Sequence, residues 1–250
     1  MKRLALVTGA GSGLGALAAQ RLAAAAWDVV GVDVDPEGLA RTAARSPNTH
    51  TRLCDVADPK AVETVVAEIG TPHRVVHAAA VSPMGLTLEQ PLDEVERVMR
   101  VDYLGTVHVV RATMPGMVAR GRGELILFSS LAGWLPARTT SAYGAAKAAV
   151  DNYAETLFQE YGDSGVTIRV VCPAQVDTPG LRAAAERYPA AGRGPRMAAR
   201  EVLDEVDRSL ARPAHDLYVL PGRRAKSAVF LRRHAPRLMD AAVRRATRPR

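Results

Sequence analysis

Short apolar segments alternate with longer helix-forming segments along most of the chain, and this alternation constrains the fold more than any other feature. The predicted strands are 4–8, 28–33, 50–54, 74–77, 124–129, 166–171 and 215–220, and the predicted helices are 14–25, 36–45, 58–68, 93–119, 142–161 and 197–211. Strands that alternate with helices form βαβ units with right-handed crossovers. A chain of 250 residues fits one such domain. The sequence therefore predicts a single α/β domain with a doubly wound parallel sheet and helices on both faces.

A glycine-rich segment, TGAGSGLG at 8–15, lies between the first strand and the first helix. Glycines permit a tight turn, and they let backbone N–H groups and the positive end of the helix approach a pyrophosphate. The residues predicted to bind it are Gly9, Ser12, Gly13, Leu14 and Gly15. A simple tight turn is the alternative, but the strand–turn–helix context favours a dinucleotide site.

Asp33 ends the second predicted strand, eighteen residues after Gly15. A carboxylate there can accept hydrogen bonds from adenosine ribose hydroxyls, and it repels a 2′-phosphate. No Lys or Arg occurs within 9–15 or directly after Asp33, so the predicted cofactor is NAD rather than NADP. The alternative is that Asp33 only caps the next turn. Asp55 and Val56, just past the third strand, are further candidates near the adenine.

Tyr143 and Lys147 are four residues apart in a predicted helix and therefore share one face of it. The ordinary tyrosine pKa of about 10 is too high for a base near neutrality, and an adjacent ammonium lowers it. The pair can thus act as a general acid/base. Ser130, thirteen residues before Tyr143, can hydrogen-bond a reacting oxygen. The alternatives are an exposed lysine beside a packing tyrosine and an ordinary turn serine.

Together these motifs resemble the short-chain dehydrogenase/reductase family, and the similarity extends over about 4–211. The resemblance implies a single Rossmann-type domain with about seven parallel strands. It also implies that Tyr143 is the acid/base, that Lys147 binds the nicotinamide ribose and tunes the tyrosine, and that Ser130 orients the substrate.

The resemblance implies further cofactor contacts. PAQVDT at 173–178 matches the family's P-G-x-V-x-T stretch, in which Val176 and Thr178 would hold the carboxamide. Ala79 is carried over as cofactor-binding from the family's N-N-A-G segment, although this chain has HAAA at 77–80.

Asp102 stands where the family has an asparagine. In the family the main-chain carbonyl of that residue holds a water linked to the lysine, and Asp102 can still do so as a catalytic residue. Alternatively, its carboxylate raises the pKa of Lys147 and weakens the effect of the ammonium on Tyr143.

The segments that follow the strand ends are mostly apolar, which favours a lipophilic alcohol or carbonyl substrate. The candidate substrate residues are Ser82, Met84, Leu131, Trp134, Leu135, Gln175, Val176, Leu181 and Tyr188. We expect no metal site, and His73 and His77 are interpreted as structural. Two cysteines in apolar surroundings, with no signal peptide and no run of about 18 apolar residues, predict a cytoplasmic protein.

The positive charge is concentrated in the last thirty residues. Ten basic residues and one acid give 221–250 a charge of +9, whereas 1–220 carries −2. We therefore divide the chain into a cofactor-binding domain, 1–220, with a substrate loop at 173–196, and a basic tail, 221–250. Within the tail a helical stripe is predicted from Leu231, Ala235, Leu238 and Ala242, with Pro236 able to start a new helix.

Such a tail suits an anionic membrane surface, and packing on the domain or on a second subunit is the alternative. Nucleic acid is disfavoured because Phe230 is the only aromatic residue in the tail. The sequence predicts an NAD-dependent oxidoreductase that interconverts an alcohol and a ketone or aldehyde, as a homodimer or homotetramer. A catalytically impaired nucleotide-binding scaffold and a membrane-associated binding protein remain alternatives.

Overall fold

The strands are short and end close to the positions expected from sequence. The computed structural model describes residues 3–188 and 194–246. Within these residues the strands are β1 (Leu4–Thr8), β2 (Asp28–Asp33), β3 (Thr49–Leu53), β4 (Arg74–His77), β5 (Gly123–Phe128), β6 (Val166–Val171), β7 (Val176–Asp177), β8 (Met197–Ala198) and β9 (Tyr218–Val219). Seven of them form one parallel sheet, and β7 pairs with β8 alone.

Helices connect successive strands of the sheet. They are α1 (Gly13–Ala24), α2 (Pro36–Ala43), α3 (Pro59–Ile69), α4 (Leu92–Val98), α5 (Gly105–Arg120), α6 (Ser141–Tyr161), α7 (Pro179–Arg187), α8 (Ala199–Leu210), α9 (Gly222–His234) and α10 (Pro236–Ala246). Local sequence explains several of their ends. Asp35 and Asp58 precede prolines, and their carboxylates accept hydrogen bonds from the second helical N–H group of α2 and α3.

The strand order β3-β2-β1-β4-β5-β6-β9 confirms the predicted doubly wound α/β fold. The chain adds strands outwards from β1 to β3, returns to place β4 on the other side of β1, and continues outwards from there. Loops leaving β1 and β4 therefore diverge to opposite faces. A crevice opens at this reversal, at the carboxyl ends of the strands, where open α/β sheets bind ligands.

Hydrophobic residues cover both faces of the sheet. One face packs on α3, α5 and α6 through side chains such as Val65, Met117 and Leu157. The other face packs on α1 and α8 through Leu22 and Val206 among others. Because successive strand residues point to opposite faces, strands buried on both sides need the continuous apolar runs seen in the sequence.

The prediction of a single helix over 93–119 is wrong in one respect. Between α4 and α5 the chain forms a six-residue π-helical segment, Met99–Leu104. A π-helical turn holds an extra residue and therefore changes which side chains face inward. Asp102 lies in this segment and is fully buried.

The part of the tail that the structure describes, 221–246, contains two helices, α9 and α10. Ala235 separates α9 from α10 with a non-helical φ of −142°, so the predicted stripe of Leu231, Ala235, Leu238 and Ala242 does not lie on one helix face, and that prediction is wrong. Within 235–245 the half-buried residues are Ala235, Met239 and Val243, while Leu238 is 70% exposed. Pro236 begins α10, as predicted. None of the helices in the described ranges is long and apolar enough to cross a membrane.

Candidate active site

The glycine-rich loop packs so tightly that no side chain fits at Gly9 or Gly15. A Cβ atom on Gly15 would lie 2.1 Å from the carbonyl oxygen of Gly9, and Gly9 itself has a φ of +68°. Helix α1 begins at Gly13, and the side chain of Ser12 before it makes no capping hydrogen bond. The first N–H groups of α1 and the positive end of its dipole are therefore available to an anion in the crevice.

Asp33 lies at the tip of β2, against this loop. Its two carboxylate oxygens accept hydrogen bonds from the N–H groups of Gly11 (2.8 Å) and Asp35 (3.0 Å). The carboxylate is thus held in one orientation, half-exposed to the crevice. The neighbouring Asp35 caps α2 instead. Asp55 and Val56 lie along the same crevice, after β3.

Helix α6 presents Tyr143 and Lys147 to the crevice from the other side. The Lys147 ammonium is 5.5 Å from the centre of the Tyr143 ring, and it donates a hydrogen bond of 3.0 Å to the carbonyl of Phe128 at the end of β5. Ser130 follows β5, and its hydroxyl oxygen accepts a hydrogen bond from the N–H group of Ala132 (3.1 Å). The Ser130 hydroxyl also hydrogen-bonds Tyr143, which lowers the pKa of that tyrosine.

The buried Asp102 carboxylate contacts Lys147 directly. Its Oδ2 lies 3.1 Å from Lys147 Nζ, and its Oδ1 accepts a hydrogen bond of 2.8 Å from the N–H group of Val81. Burial lowers the pKa of Lys147, but the charges of Asp102 and Tyr143 outweigh this effect and leave the pKa above its ordinary value. Burial raises the pKa of Tyr143, Lys147 opposes that rise, and Asp102 adds to it, so the net pKa is also raised.

The glycine loop, Asp33, Ser130, Tyr143 and Lys147 line one continuous cleft of about 930 Å³, which runs from the glycine loop to α10. The predicted site residues that border it are Gly9, Ser12, Gly13, Leu14, Gly15, Asp33, Asp55, Val56, Ala79, Ser82, Met84, Ser130, Leu131, Leu135, Tyr143, Lys147, Gln175, Val176, Thr178, Leu181 and Tyr188. Asp102 lies behind the cleft wall. The structure does not place Trp134 in the cleft, because its indole ring packs edge-on against Tyr218 with ring centres 5.1 Å apart.

Several lining residues were not predicted. Val243 of α10 reaches the cleft, and so do Arg97 and Arg138. No local motif marks 97 or 243, because 97 lies on α4 and 243 is in the tail, both far from Tyr143 in sequence, whereas Arg138 is only five residues before Tyr143. Elsewhere, no group of three or more metal-binding side chains occurs in the described ranges. Cys54 and Cys172 are both buried free thiols.

Comparison with known proteins decides the family. Residues 3–189, more than half of the chain, match the short chain dehydrogenase profile. The chain belongs to the short-chain dehydrogenase family. This short-chain dehydrogenase is 35% identical over 189 residues to the 1-deoxy-11-beta-hydroxypentalenate dehydrogenase of Streptomyces avermitilis, covering 71% of this chain and 70% of that protein. It is an oxidoreductase of this family.

Solved structures of relatives share the fold. A short-chain dehydrogenase/reductase from Burkholderia phymatum in complex with NAD is 26% identical, with a TM-score of 0.82 over 95% of each chain. Actinorhodin polyketide ketoreductase with NADPH is 25% identical, with a TM-score of 0.79 over 88% of this chain and 97% of that one. Structural relatives of this short-chain dehydrogenase thus bind NAD or NADP.

His77 is another residue by which this short-chain dehydrogenase departs from the family pattern. The Thr8 hydroxyl accepts hydrogen bonds from the N–H groups of the two residues after His77, so its proton points to His77 Nδ1 (2.8 Å). His77 Nε2 then donates to Thr106 (3.0 Å), which donates to the carbonyl of Asp102 (2.6 Å). Burial, assisted by the Lys147 charge, lowers the His77 pKa to about 3, so this histidine is neutral and structural.

Proposed function

We propose that this short-chain dehydrogenase uses NAD to interconvert an alcohol and a ketone or aldehyde, with Tyr143 as the general acid/base. The observation that carries the proposal is the convergence of Tyr143, Lys147 and Ser130 on the cleft that also contains the glycine loop and Asp33. A packing tyrosine and a surface lysine would not be expected to meet at the end of a dinucleotide-sized crevice.

The residues around the crevice fit a dinucleotide. A pyrophosphate would lie over the loop, where Cβ atoms are excluded at Gly9 and Gly15. Asp33 would accept hydrogen bonds from the adenosine ribose, and its charge favours NAD over NADP. Val176 and Thr178 would hold the carboxamide, and Lys147 the other ribose. When bound, the nicotinamide supplies or accepts the hydride.

The protein's own groups move the proton. Tyr143 donates its hydroxyl proton to the substrate oxygen during reduction and removes a proton from the alcohol during oxidation. Ser130 donates a hydrogen bond to the same oxygen, which stabilises the charge that develops on it. Lys147 is held by Asp102 and by the Phe128 carbonyl, so its ammonium stays close to the Tyr143 ring.

We propose a lipophilic substrate. The part of the cleft beyond Ser130 and Tyr143 is bordered mainly by apolar side chains, which are Met84, Leu86, Leu131, Leu135, Leu181 and Val243. Arg97, Arg138 and Glu89 border the same cleft, so polar groups of the substrate or water can contact them. A hydrophobic pocket with few polar groups favours apolar ligands of moderate size.

The basic tail, 221–250, is proposed as a unit distinct from the domain at 1–220, with its outer side contacting anionic membranes. Phe230 is 62% exposed and Leu238 is 70% exposed, beside the arginines of α9 and α10. Apolar side chains flanked by basic ones favour an anionic lipid surface. Val243 contributes to the cleft at the same time, so α10 would also form its outer wall. A cytoplasmic homodimer or homotetramer completes the proposal.

The test of the proposed function is a reaction screen. Purified protein is given NADH with lipophilic ketones and aldehydes, and NAD with the matching alcohols, while the absorbance of the nicotinamide is followed. Turnover of lipophilic substrates above that of small hydroxy acids and sugars is expected. Cofactor binding without turnover of any carbonyl or alcohol would instead favour a nucleotide-binding scaffold.

A further inference from the structure

A carboxylate without access to water lies directly behind the acid/base pair. Asp102 is 0% exposed, and its Oδ2 is 3.1 Å from the Lys147 ammonium. Burial raises the pKa of Asp102, and the Lys147 charge and the Val81 N–H group oppose that rise. With both groups ionised, two opposite charges 3.1 Å apart largely cancel each other's field. The ammonium that should stabilise the Tyr143 phenolate is therefore partly neutralised.

Asp102 cannot easily turn away from Lys147. The N–H group of Val81 holds its other oxygen at 2.8 Å, and the hydroxyl of Thr106 holds its main-chain carbonyl at 2.6 Å. The π-helical segment fixes the backbone at this position. The ion pair is therefore a permanent part of the site.

Three other titratable groups lie near the pair, each on a different part of the fold. His77 of β4 faces Lys147 and is neutral. Asp151, one turn further along α6, is a second carboxylate near Lys147, and burial raises its pKa to about 6. Cys172 at the end of β6 faces Tyr143, and burial raises its pKa well above the ordinary value, so it is an uncharged thiol. None of these three groups carries a positive charge that could compensate for the weakening of the Lys147 charge by Asp102.

We propose that Asp102 is a positioning residue that keeps Tyr143 protonated through neutral pH, so that carbonyl reduction is fast near neutrality and alcohol oxidation requires alkaline solution. This inference rests on the proposed function and specifies the pH range of the same site. In the reduction the carbonyl carbon gains a hydride from NADH, and the carbonyl oxygen gains the proton as the Tyr143 O–H bond breaks. The products are the alcohol, NAD⁺ and a phenolate, which recovers its proton from solvent water.

The test compares wild-type protein with Asp102→Asn. Asparagine keeps the size of the side chain and an oxygen that can accept the Val81 hydrogen bond, but it removes the charge. Ionisation of Tyr143 is followed by the near-ultraviolet absorbance of tyrosinate across a pH titration, with Tyr143→Phe subtracted to remove the other tyrosines. We expect Asp102→Asn to lower the pKa of Tyr143 by about one unit or more, because a neighbouring negative charge has gone.

The pH dependence of both reaction rates should shift to lower pH together with the Tyr143 titration. In Asp102→Asn, alcohol oxidation should rise at lower pH than in wild type, and carbonyl reduction should begin to fall at lower pH. Asp163→Asn, an exposed carboxylate just after α6, is the matched control and should change neither the titration nor the profiles.

The two proposals fail in different ways. An unchanged Tyr143 titration in folded Asp102→Asn protein, or an equal shift in Asp163→Asn, overturns the role of Asp102. A shifted titration without turnover of any carbonyl or alcohol supports the role of Asp102 in setting the tyrosine pKa and overturns the proposed function.

Discussion

Replacing Asp33 by alanine should reverse or remove the proposed preference for NAD. The carboxylate is fixed by the Gly11 and Asp35 N–H groups at 2.8 and 3.0 Å, so it cannot swing away from a 2′-phosphate on the adjoining ribose. Two negative charges about 4 Å apart repel each other by about 4 kcal/mol at an effective dielectric constant near 20. Because Asp33 is half-exposed, water screens its charge and we expect about half of that repulsion, about 2 kcal/mol. This corresponds to roughly a 30-fold change in the ratio of the NADH and NADPH affinities.

The assay is direct titration of NADH and NADPH binding, at constant ionic strength, to wild type, Asp33→Ala and Asp33→Asn. Asparagine retains an acceptor for the loop N–H groups and so separates the loss of charge from loosening of the glycine loop. NADPH binding should improve relative to NADH in both variants. Tighter binding of NADPH than of NADH by the wild-type protein would refute the reasoning.

Two further changes test separate parts of the site. Lys147→Arg should lower kcat at least about tenfold, because a planar guanidinium does not fit the buried contacts of the ammonium with Asp102 and Phe128; activity close to wild type would contradict this. Removing α10 and the residues after it should raise KM for bulky substrates, because Val243 is lost from the cleft wall. The same truncation should weaken co-sedimentation with anionic vesicles at low salt, because basic residues are lost. Equal sedimentation of both proteins would contradict the proposed membrane contact.

Much of the fold and of the cofactor cleft could be predicted because the signals are local. The glycine loop follows β1 directly, and Tyr143 and Lys147 are one helical turn apart. The spacing of the residues within each motif therefore determines how they are arranged in space. The strand bounds followed from short apolar runs, which a sheet buried on both faces requires.

Features that depend on tertiary contacts were not predictable in the same way. Nothing in the residues around Asp102 predicts a π-helical segment. The resemblance left open whether the main-chain carbonyl or the carboxylate of Asp102 acts on Lys147, and the folded chain shows the carboxylate 3.1 Å from the ammonium. Trp134 is close to Ser130 in sequence, but the turn Leu131–Gly133 directs it towards Tyr218. The prediction of one apolar stripe in the tail is wrong because the spacing of apolar residues does not reveal the break in the helix at Ala235.

The central claim is that Tyr143 transfers the proton, and Tyr143→Phe tests it most directly. The phenyl ring retains the packing of the tyrosine but has no exchangeable proton. With a substrate from the screen, we predict that Tyr143→Phe binds NADH with nearly wild-type affinity and loses carbonyl reduction by at least about a hundredfold. Substantial turnover by folded Tyr143→Phe protein would contradict the account.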